Sequence, residues 1–334
     1  MPVAAVVDAA ATRGRTGRAE LPGPQAARGS SWQRSDALGP IGRPCVPHWP
    51  AMVLNAAFRG LLGPGWCRVD PARLAAAVGG TAVLVTGASS GIGARVAELL
   101  AGAGAHVLLT ARRADLLVAL AGRITSEGGQ ATALPADLAD PAAVDRLAAQ
   151  AHDGAGRIDV VVSNAGKSIR RSLTATQGRF HDVTRTNDVN YLGPVRLLSA
   201  LLPAMRANGS GHLINVSSLN VDLPVAHFAG YSAAKAAFET WLRCAAPELR
   251  RDGVAVTSIH FPLVHTPMSA PTYPAWVPGL TATAAAEVIG RAVVHRPRLL
   301  MPWWARLLSP IAATAPRPYE ATQAGLLRLA GRRR

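Results

Sequence analysis

The sequence contains few cysteines, few charged residues and no long apolar run. Its three cysteines, Cys45, Cys67 and Cys244, are too few and too scattered for a disulfide framework or a zinc cluster, which favours reduced thiols in a cytoplasmic protein. No uninterrupted apolar segment approaches the ~20 residues that a membrane-spanning helix needs. The first residues have no basic region and carry Asp8 inside their only apolar run, so they do not resemble a secretory signal.

Charge is scarce and unevenly placed along the 334 residues. Charged side chains make up 16% and apolar ones 49%, enough to bury a sizeable core and to exclude wholesale disorder. Most of the net charge of +15 lies in the ends: residues 291–334 hold nine arginines against Glu320, and residues 1–51 hold six against three acids. A basic end fits anionic lipid, a phosphorylated substrate, nucleic acid or plain solvent. Because residues 52–290 are nearly balanced, we expect no specific nucleic-acid binding.

Composition divides the chain into four segments. Residues 1–51 are rich in Ala, Gly, Pro and Arg without a sustained period, which predicts a disordered or loosely ordered extension. Translation that starts at Met52 is the alternative. Residues 52–78 predict a helical lead-in, 79–298 the main domain, and 299–334 a basic amphipathic appendage.

The appendage has three possible roles. Trp303 and Trp304, with Leu307, Leu308 and flanking arginines, suit an interfacial helix beside anionic lipid. They equally suit a subunit interface or a helix packed on the core. Peripheral contact with the inner face of the membrane is therefore one of three expectations.

In the main domain, short apolar runs alternate with segments of helical periodicity. This alternation predicts parallel βαβ units with right-handed crossovers, hence an α/β fold with a Rossmann-like doubly wound parallel sheet in a three-layer αβα arrangement. The predicted strands lie at 81–87, 105–111, within 131–138, 158–166, 212–218 and 254–262. The predicted helices lie at 92–104, 114–127, 141–154, 181–207 and 229–250.

The first strand ends in a glycine-rich sequence that opens directly into a helix. Gly87 allows a tight turn, Gly91 lets the backbone approach a pyrophosphate, and Gly93 permits close packing of helix on strand. The unpaired N–H groups at the helix start suit phosphates. An ordinary glycine-rich turn is the alternative, and the βα units that follow disfavour it.

The spacing GxxxGxG resembles the short-chain dehydrogenase/reductase family, and the resemblance runs from about residue 78 to 268. It implies an oxidoreductase that uses a nicotinamide dinucleotide and assembles as a dimer or tetramer. The cofactor contacts that it implies are Thr86, Gly87, Ser89, Ser90, Gly91, Ile92, Gly93, Asp137, Leu138, Asn164, Ala165, Gly166, Tyr231, Lys235, Pro262 and Thr266.

The end of the second strand predicts which dinucleotide is used. An acidic residue there binds the ribose 2′-hydroxyl of NAD, whereas an arginine suits the 2′-phosphate of NADP. This chain has Arg112 and Arg113 and no acid, so we predict NADPH rather than NAD. The alternative is that either arginine is merely solvated at a helix start.

Tyr231 and Lys235 form the candidate acid–base pair. Four residues apart on a helix, their side chains lie on one face, and an ammonium beside a phenol lowers the phenol pKa. The chain has only two lysines, Lys167 and Lys235, among 35 basic residues. A lysine at this position in so arginine-rich a sequence indicates that a compact ammonium is required.

The family resemblance adds two catalytic residues. Ser218, thirteen residues before Tyr231, matches the serine that polarises the substrate oxygen, with Ser217 as the competitor. Asn190 matches the asparagine that holds a proton-relay water. The histidines have no metal-ligand spacing, so we expect no metal site.

Two loops narrow the resemblance to bacterial fatty acyl-CoA reductases of this family. They are residues 164–172 and 262–272, with Arg-Pro-Arg at 296–298 beyond. The resemblance implies NADPH-dependent reduction of a long-chain acyl thioester or a related fatty carbonyl. The apolar, proline-rich residues 273–280 suit a substrate lid.

Lys167, Arg170 and Arg171 follow the fourth strand, near the open end of the sheet. These residues suit the phosphates of coenzyme A, and a solvated basic loop is the alternative. A ketone or secondary-alcohol oxidoreductase with 3-oxoacyl or steroid-like substrates would use the same catalytic residues. A nucleotide-binding scaffold or sensor is the alternative outside catalysis.

Overall fold

The computed structural model describes Gly60, Leu62 and residues 66–331. The extension expected over residues 1–51 lies outside the described residues, as do residues 52–59 of the expected lead-in.

A seven-stranded, wholly parallel sheet forms the centre, in the order β3-β2-β1-β4-β5-β6-β9. The strand order reverses between β1 and β4, and in such sheets ligands bind in the crevice at this switch point. The strands are β1 (Ala82–Thr86), β2 (His106–Thr110), β3 (Gln130–Ala133), β4 (Val160–Ser163), β5 (Gly211–Ser218), β6 (Val254–Phe261) and β9 (Leu299–Leu300); β7 (Val264–His265) and β8 (Leu280–Thr281) pair separately.

Helices cover both faces of the sheet, which confirms the predicted Rossmann-like three-layer fold. The main helices are α1 (Pro71–Val78), α2 (Gly91–Gly102), α3 (Ala114–Ser126), α4 (Pro141–Ala155), α5 (Leu173–Thr176), α6 (Phe180–Asn187), α7 (Gly193–Ala207), α8 (Ala229–Arg251), α9 (Ala282–His295), α10 (Trp303–Thr314) and α11 (Pro316–Gly331). A π-turn (Asp188–Leu192) joins α6 to α7, and a 3₁₀ turn (Leu219–Val221) follows β5.

The apolar core is split by the sheet into two clusters. In β1, Val83 and Val85 point to the cluster that contains α2 and α9, whereas Leu84 points to the cluster with α4, α7 and α8. Alternate side chains face opposite sides of a strand. This double burial explains why the strands have nearly unbroken apolar sequences.

The core extends beyond both expected boundaries of the main domain. Asp70 caps α1 by accepting the N–H groups of Ala72 and Arg73, and Leu74 is buried among the core residues. At the other end, β9 pairs with Ser258 and Ile259 of β6 as an edge strand. The expected boundaries at residues 79 and 299 therefore fall inside the packed structure.

Gly93 permits the closest approach of helix to strand. A Cβ at Gly93 would clash with the Gly87 carbonyl and lie 2.6 Å from the Asn164 side-chain nitrogen. At Gly102, in the same helix, an added Cβ meets nothing within 4 Å. The two glycines therefore form a matched pair for mutation.

Gly93→Ala should therefore lower both thermal stability and dinucleotide affinity, because α2 must move away from β1. Gly102→Ala should leave stability unchanged or raise it, since alanine favours a helix by up to about 1 kcal/mol over glycine. Thermal melts and nucleotide titrations of both variants test this. Equal melting temperatures for the two variants would contradict the packing argument.

Candidate active site

The turn after β1 has the geometry of an anion site. Gly87 and Gly91 have φ angles of +69° and +59°, a conformation that favours glycine. Helix α2 begins at Gly91. The side chain of Ser90, the residue before it, makes no capping hydrogen bond to the first N–H groups of the helix. These N–H groups, at the positive end of the helix dipole, suit the phosphates of a dinucleotide.

Thr86 joins the carboxyl ends of β1 and β4 at the switch point. Its buried hydroxyl accepts the N–H groups of Asn164 and Ala165, each at 2.9 Å. The Asn164 side-chain amide in turn donates to the Thr86 carbonyl at 2.8 Å. The Asn164-Ala165-Gly166 turn is thereby held against the glycine-rich turn.

Arg113 and Arg112 differ in their contacts. The Arg113 guanidinium donates to the hydroxyls of Ser89 and Ser90 at 2.9 and 3.0 Å, within the glycine-rich turn. Arg112 lies 3.9 Å from Asp137, and both side chains are largely exposed. Arg113 is therefore the cation nearer to the dinucleotide phosphates expected here.

Thr266 covers the start of α2 from the other side. A Cβ at Gly91 would lie 3.2 Å from the Thr266 methyl group. The Thr266 N–H donates to the Ser269 hydroxyl at 3.0 Å, which holds the loop after Pro262 in place. Three of the expected cofactor contacts have no polar side-chain atom: Ile92, Leu138 and Pro262. Any contact with the cofactor would use their backbone atoms or apolar packing, and these contacts stay predictions.

Tyr231, at the start of α8, and Ser218, at the end of β5, come together. Burial raises the pKa of the Tyr231 phenol, and a hydrogen bond with Ser218 partly offsets this. The Ser218 oxygen accepts the Asn220 N–H at 3.2 Å, so its own O–H is left to donate. Ser217, the competitor, is buried.

Lys235 is buried one helical turn beyond Tyr231 and donates to the Val216 carbonyl at 2.9 Å. Burial lowers the pKa of Lys235 to about 8. The structure thus differs from the expectation that Lys235 lowers the phenol pKa: the ammonium faces a backbone carbonyl, and burial of Tyr231 dominates. The phenol therefore holds its proton at neutral pH.

Asn190 lies in the π-turn, where sequence periodicity had predicted one continuous helix over 181–207. Its side-chain oxygen accepts the Lys167 N–H at 3.0 Å and its side-chain nitrogen donates to the Lys167 carbonyl at 2.8 Å. Pro194, four residues later, has no N–H to bond the Asn190 carbonyl, which removes a helical hydrogen bond at this point. A Cβ at Gly166 would lie 2.9 Å from the Asn190 oxygen and 3.7 Å from the Lys235 nitrogen, so both residues converge there.

The segment expected to form the lid, residues 273–280, lies after β7 and ends at the start of β8, and these two short strands pair with each other. Within it, the Tyr273 ring stacks on Phe228, with centroids 6.4 Å apart and planes 3° apart. Phe228 meets Tyr231 edge-on at 6.4 Å. Sequence analysis missed Phe228, whose only signal is an aromatic residue three positions before Tyr231.

The three basic residues after β4 do not act alike. Arg171 forms an ion pair with Asp182 at 2.8 Å, and Asp182 also pairs with Arg179, whose hydrogen bond lowers the pKa of Asp182 despite its burial. The charge of Arg171 is therefore compensated within the chain. Arg170 is exposed, and burial together with nearby cations lowers the pKa of Lys167.

A buried ionic network, also missed, lies between β5, β6 and α8. Both ring nitrogens of His260 face carboxylates, Asp222 on one side and Glu239 at 3.5 Å on the other. Asn215 and Arg298 donate to Glu239 at 3.1 and 3.4 Å. Glu239 lies one turn after Lys235, and Asp222 follows the 3₁₀ turn after Ser218, so the network connects the segments that carry Lys235 and Ser218.

Comparison with known proteins decides the family. The model of the short chain dehydrogenase family matches residues 81–275. The chain belongs to the short-chain dehydrogenase/reductase family. It is an NAD(P)-dependent oxidoreductase, and the residues around Gly87, Gly91 and Arg113 fit a nicotinamide dinucleotide.

This dehydrogenase is similar to proteins named fatty acyl-CoA reductase. One, from Acinetobacter baylyi, is 43% identical over 72% of this chain and 81% of that protein. Another, from Mycobacterium tuberculosis, is 42% identical over 79% of this chain and 91% of that protein.

Solved structures agree with the fold. A metagenomic short-chain oxidoreductase in complex with NADP is 32% identical, with a TM-score of 0.58, over 66% of this chain and 92% of that one. A short-chain dehydrogenase from Streptomyces avermitilis is 30% identical, with a TM-score of 0.62, over 74% and 98%.

The His260 network generates a prediction for stability against pH. Burial lowers the pKa of His260, but hydrogen bonds and charges from Asp222 and Glu239 outweigh it and raise the pKa to about 9. Because the folded pKa exceeds the ordinary value of about 6.5, this stabilisation, about 3 kcal/mol, is present below pH 6.5 and lost as pH rises through 9. The difference in unfolding free energy between the native protein and His260→Gln should narrow over that range.

Denaturant unfolding at a series of pH values measures this difference. Asp222→Asn removes one carboxylate and should move the loss of stabilisation to lower pH. A difference between native protein and His260→Gln that stays constant from pH 6.5 to 9 would contradict a protonated His260.

Proposed function

We propose that this dehydrogenase uses NADPH to reduce a long-chain fatty acyl thioester, such as an acyl-CoA, to the aldehyde. The observation that carries the proposed chemistry is the pairing of the Tyr231 phenol with Ser218 by a hydrogen bond, with Lys235 one helical turn beyond Tyr231. A phenol that keeps its proton at neutral pH is suited to donate it to a carbonyl oxygen as that oxygen gains negative charge.

The residues that would hold the cofactor are the glycine-rich turn, Arg113, Asn164 and Lys235. The nicotinamide ring, when bound, supplies the hydride. Arg113, already bonded to Ser89 and Ser90, offers its guanidinium to a ribose 2′-phosphate, which supports NADPH as the cofactor.

Ser218 and Tyr231 would both bond the substrate carbonyl oxygen. The Ser218 O–H orients the carbonyl, and the Tyr231 phenol transfers its proton to the oxygen as the carbonyl carbon is reduced. Lys235, which is partly deprotonated near pH 8, would return a proton to the phenol, and Asn190 would hold the water that relays it. From a thioester the product of this step is a hemithioacetal, which expels the thiol as its C–S bond breaks and leaves the aldehyde.

The two similar proteins named fatty acyl-CoA reductase support a fatty acyl thioester as the substrate. Lys167 and Arg170, rather than the paired Arg171, are the cations offered to coenzyme A phosphates. The lid and the segment before it add apolar surface, since Trp276 in the lid and Met268 before it are half exposed.

A ketone or secondary-alcohol substrate is the second candidate, because it would use the same four catalytic residues. Only the thioester reaction releases a thiol. We also expect a dimer or tetramer, as in the family, which light scattering would measure.

Tyr231→Phe should reduce NADPH oxidation with a long-chain acyl-CoA by roughly 10²–10⁴-fold, because the proton donor is lost. Free thiol should appear with NADPH oxidation in the native protein and disappear in the variant. Ser126→Ala, which removes an exposed hydroxyl bonded only to the Arg123 carbonyl at the end of α3, is the control and should stay active. NADPH consumption with ketones alone, without thiol, would overturn the thioester proposal and leave the catalytic residues in place.

Arg113→Ser should raise the KM for NADPH by roughly 10–100-fold, since charged hydrogen bonds contribute about 1.5–3 kcal/mol. The KM for NADH should change far less, because NADH has no 2′-phosphate. Arg112→Ser is the matched control, from the neighbouring exposed arginine. Equal effects of Arg113→Ser on both cofactors would contradict the role of Arg113.

A further inference from the structure

Helices α10 and α11 form a C-terminal hairpin that is attached to the active-site turn. Ala305 of α10 is buried against Met301 and against Leu219, the residue directly after Ser218. The Tyr319 hydroxyl of α11 donates to the Pro224 carbonyl at 2.9 Å. Both helices of the hairpin therefore contact residues 219–224.

The opposite side of α10 is apolar and exposed. Trp303, Leu307 and Ile311 are 54%, 61% and 59% exposed, and their spacing of four residues places them on one face of the helix. Leu326 of α11 is exposed to a similar degree. Helices of soluble proteins usually bury such an apolar stripe. This face is therefore suited to contact either lipid or a protein partner.

The charge of the hairpin selects the partner. Its described side chains include three exposed arginines, Arg306, Arg317 and Arg328, and one acidic residue, Glu320. A symmetric contact with a second copy would bring these cations against themselves. A surface of anionic lipid neutralises the arginines and takes up the apolar side chains at once.

We propose that the α10–α11 hairpin docks this protein on an anionic membrane surface. Because its buried side contacts the turn after Ser218, docking would hold the active site beside the phase in which a long-chain acyl substrate partitions. The access to a membrane-bound acyl substrate rests on the proposed function, whereas the docking of the hairpin does not. Within the described part of the chain no helix is both long and apolar enough to cross a membrane.

The test is flotation of the full chain with phosphatidylcholine vesicles, with or without phosphatidylglycerol. The native protein should float with the anionic vesicles and less with the neutral ones. The double variant Leu307→Ser/Ile311→Ser should lose binding by roughly tenfold or more, because two apolar side chains no longer enter the interface. Leu116→Ser/Val118→Ser, which changes two exposed apolar residues of α3, is the matched control and should bind normally.

A second pair of variants tests the charge of the hairpin by changing only exposed residues. Arg317→Glu/Arg328→Glu should weaken binding and reduce its sensitivity to salt. The control Arg68→Glu/Arg73→Glu makes the same change in net charge at exposed residues just before and within α1. It should have little effect on vesicle binding.

Binding is measured without NADPH or acyl-CoA, so failure of the proposed reaction leaves this test intact. Equal flotation with neutral and anionic vesicles, or none with either, would overturn the proposal. It would also be overturned if Leu307→Ser/Ile311→Ser lowers the mass in light scattering while vesicle binding stays unchanged, because the face is then an interface between copies.

Discussion

The close contact between the turn after β1 and the turn after β4 is the constraint on which the site depends. Thr86 accepts two N–H groups from the second turn, and the Asn164 amide returns a bond to β1. Gly87 and Gly93 have no space for a side chain here. Because both turns are held together, the N-terminus of α2 points into the crevice and Gly166 lies between Asn190 and Lys235.

Burial controls the proton chemistry of the site. It raises the pKa of Tyr231 and lowers that of Lys235 to about 8, so the phenol keeps its proton and Lys235 stays mostly protonated at neutral pH. The Ser218 hydrogen bond opposes this shift at the phenol. The result is a proton donor next to a group that exchanges protons near neutral pH, which suits reduction of a carbonyl better than a preformed phenolate would.

Features set by local sequence could be predicted. The β-strand and helix alternation, the glycine-rich turn and the Tyr231–Lys235 spacing depend on neighbours a few residues apart. The His260–Asp222–Glu239 network and the Phe228–Tyr273 stack could not, since each joins separate elements. These contacts depend on strand order and on helix placement, which no short pattern encodes.

Other deviations have specific physical causes. The long helix predicted over 181–207 contains a π-turn, where Pro194 lacks the N–H that would bond the Asn190 carbonyl. Arg171 joins an ion pair with Asp182, a partner eleven positions away that charge counting along the loop does not reveal. Edge strand β9 has two residues, too short for any periodicity.

The segment from Ser218 to Pro224 connects chemistry, core and surface. Leu219 packs under the hairpin, Asp222 bonds His260, and the Pro224 carbonyl accepts the Tyr319 hydroxyl. Each contact comes from a different element, so the orientation of Ser218 depends on all three. The surface proposed to dock on lipid and the serine proposed to orient the substrate are therefore joined through one short segment, residues 219–224.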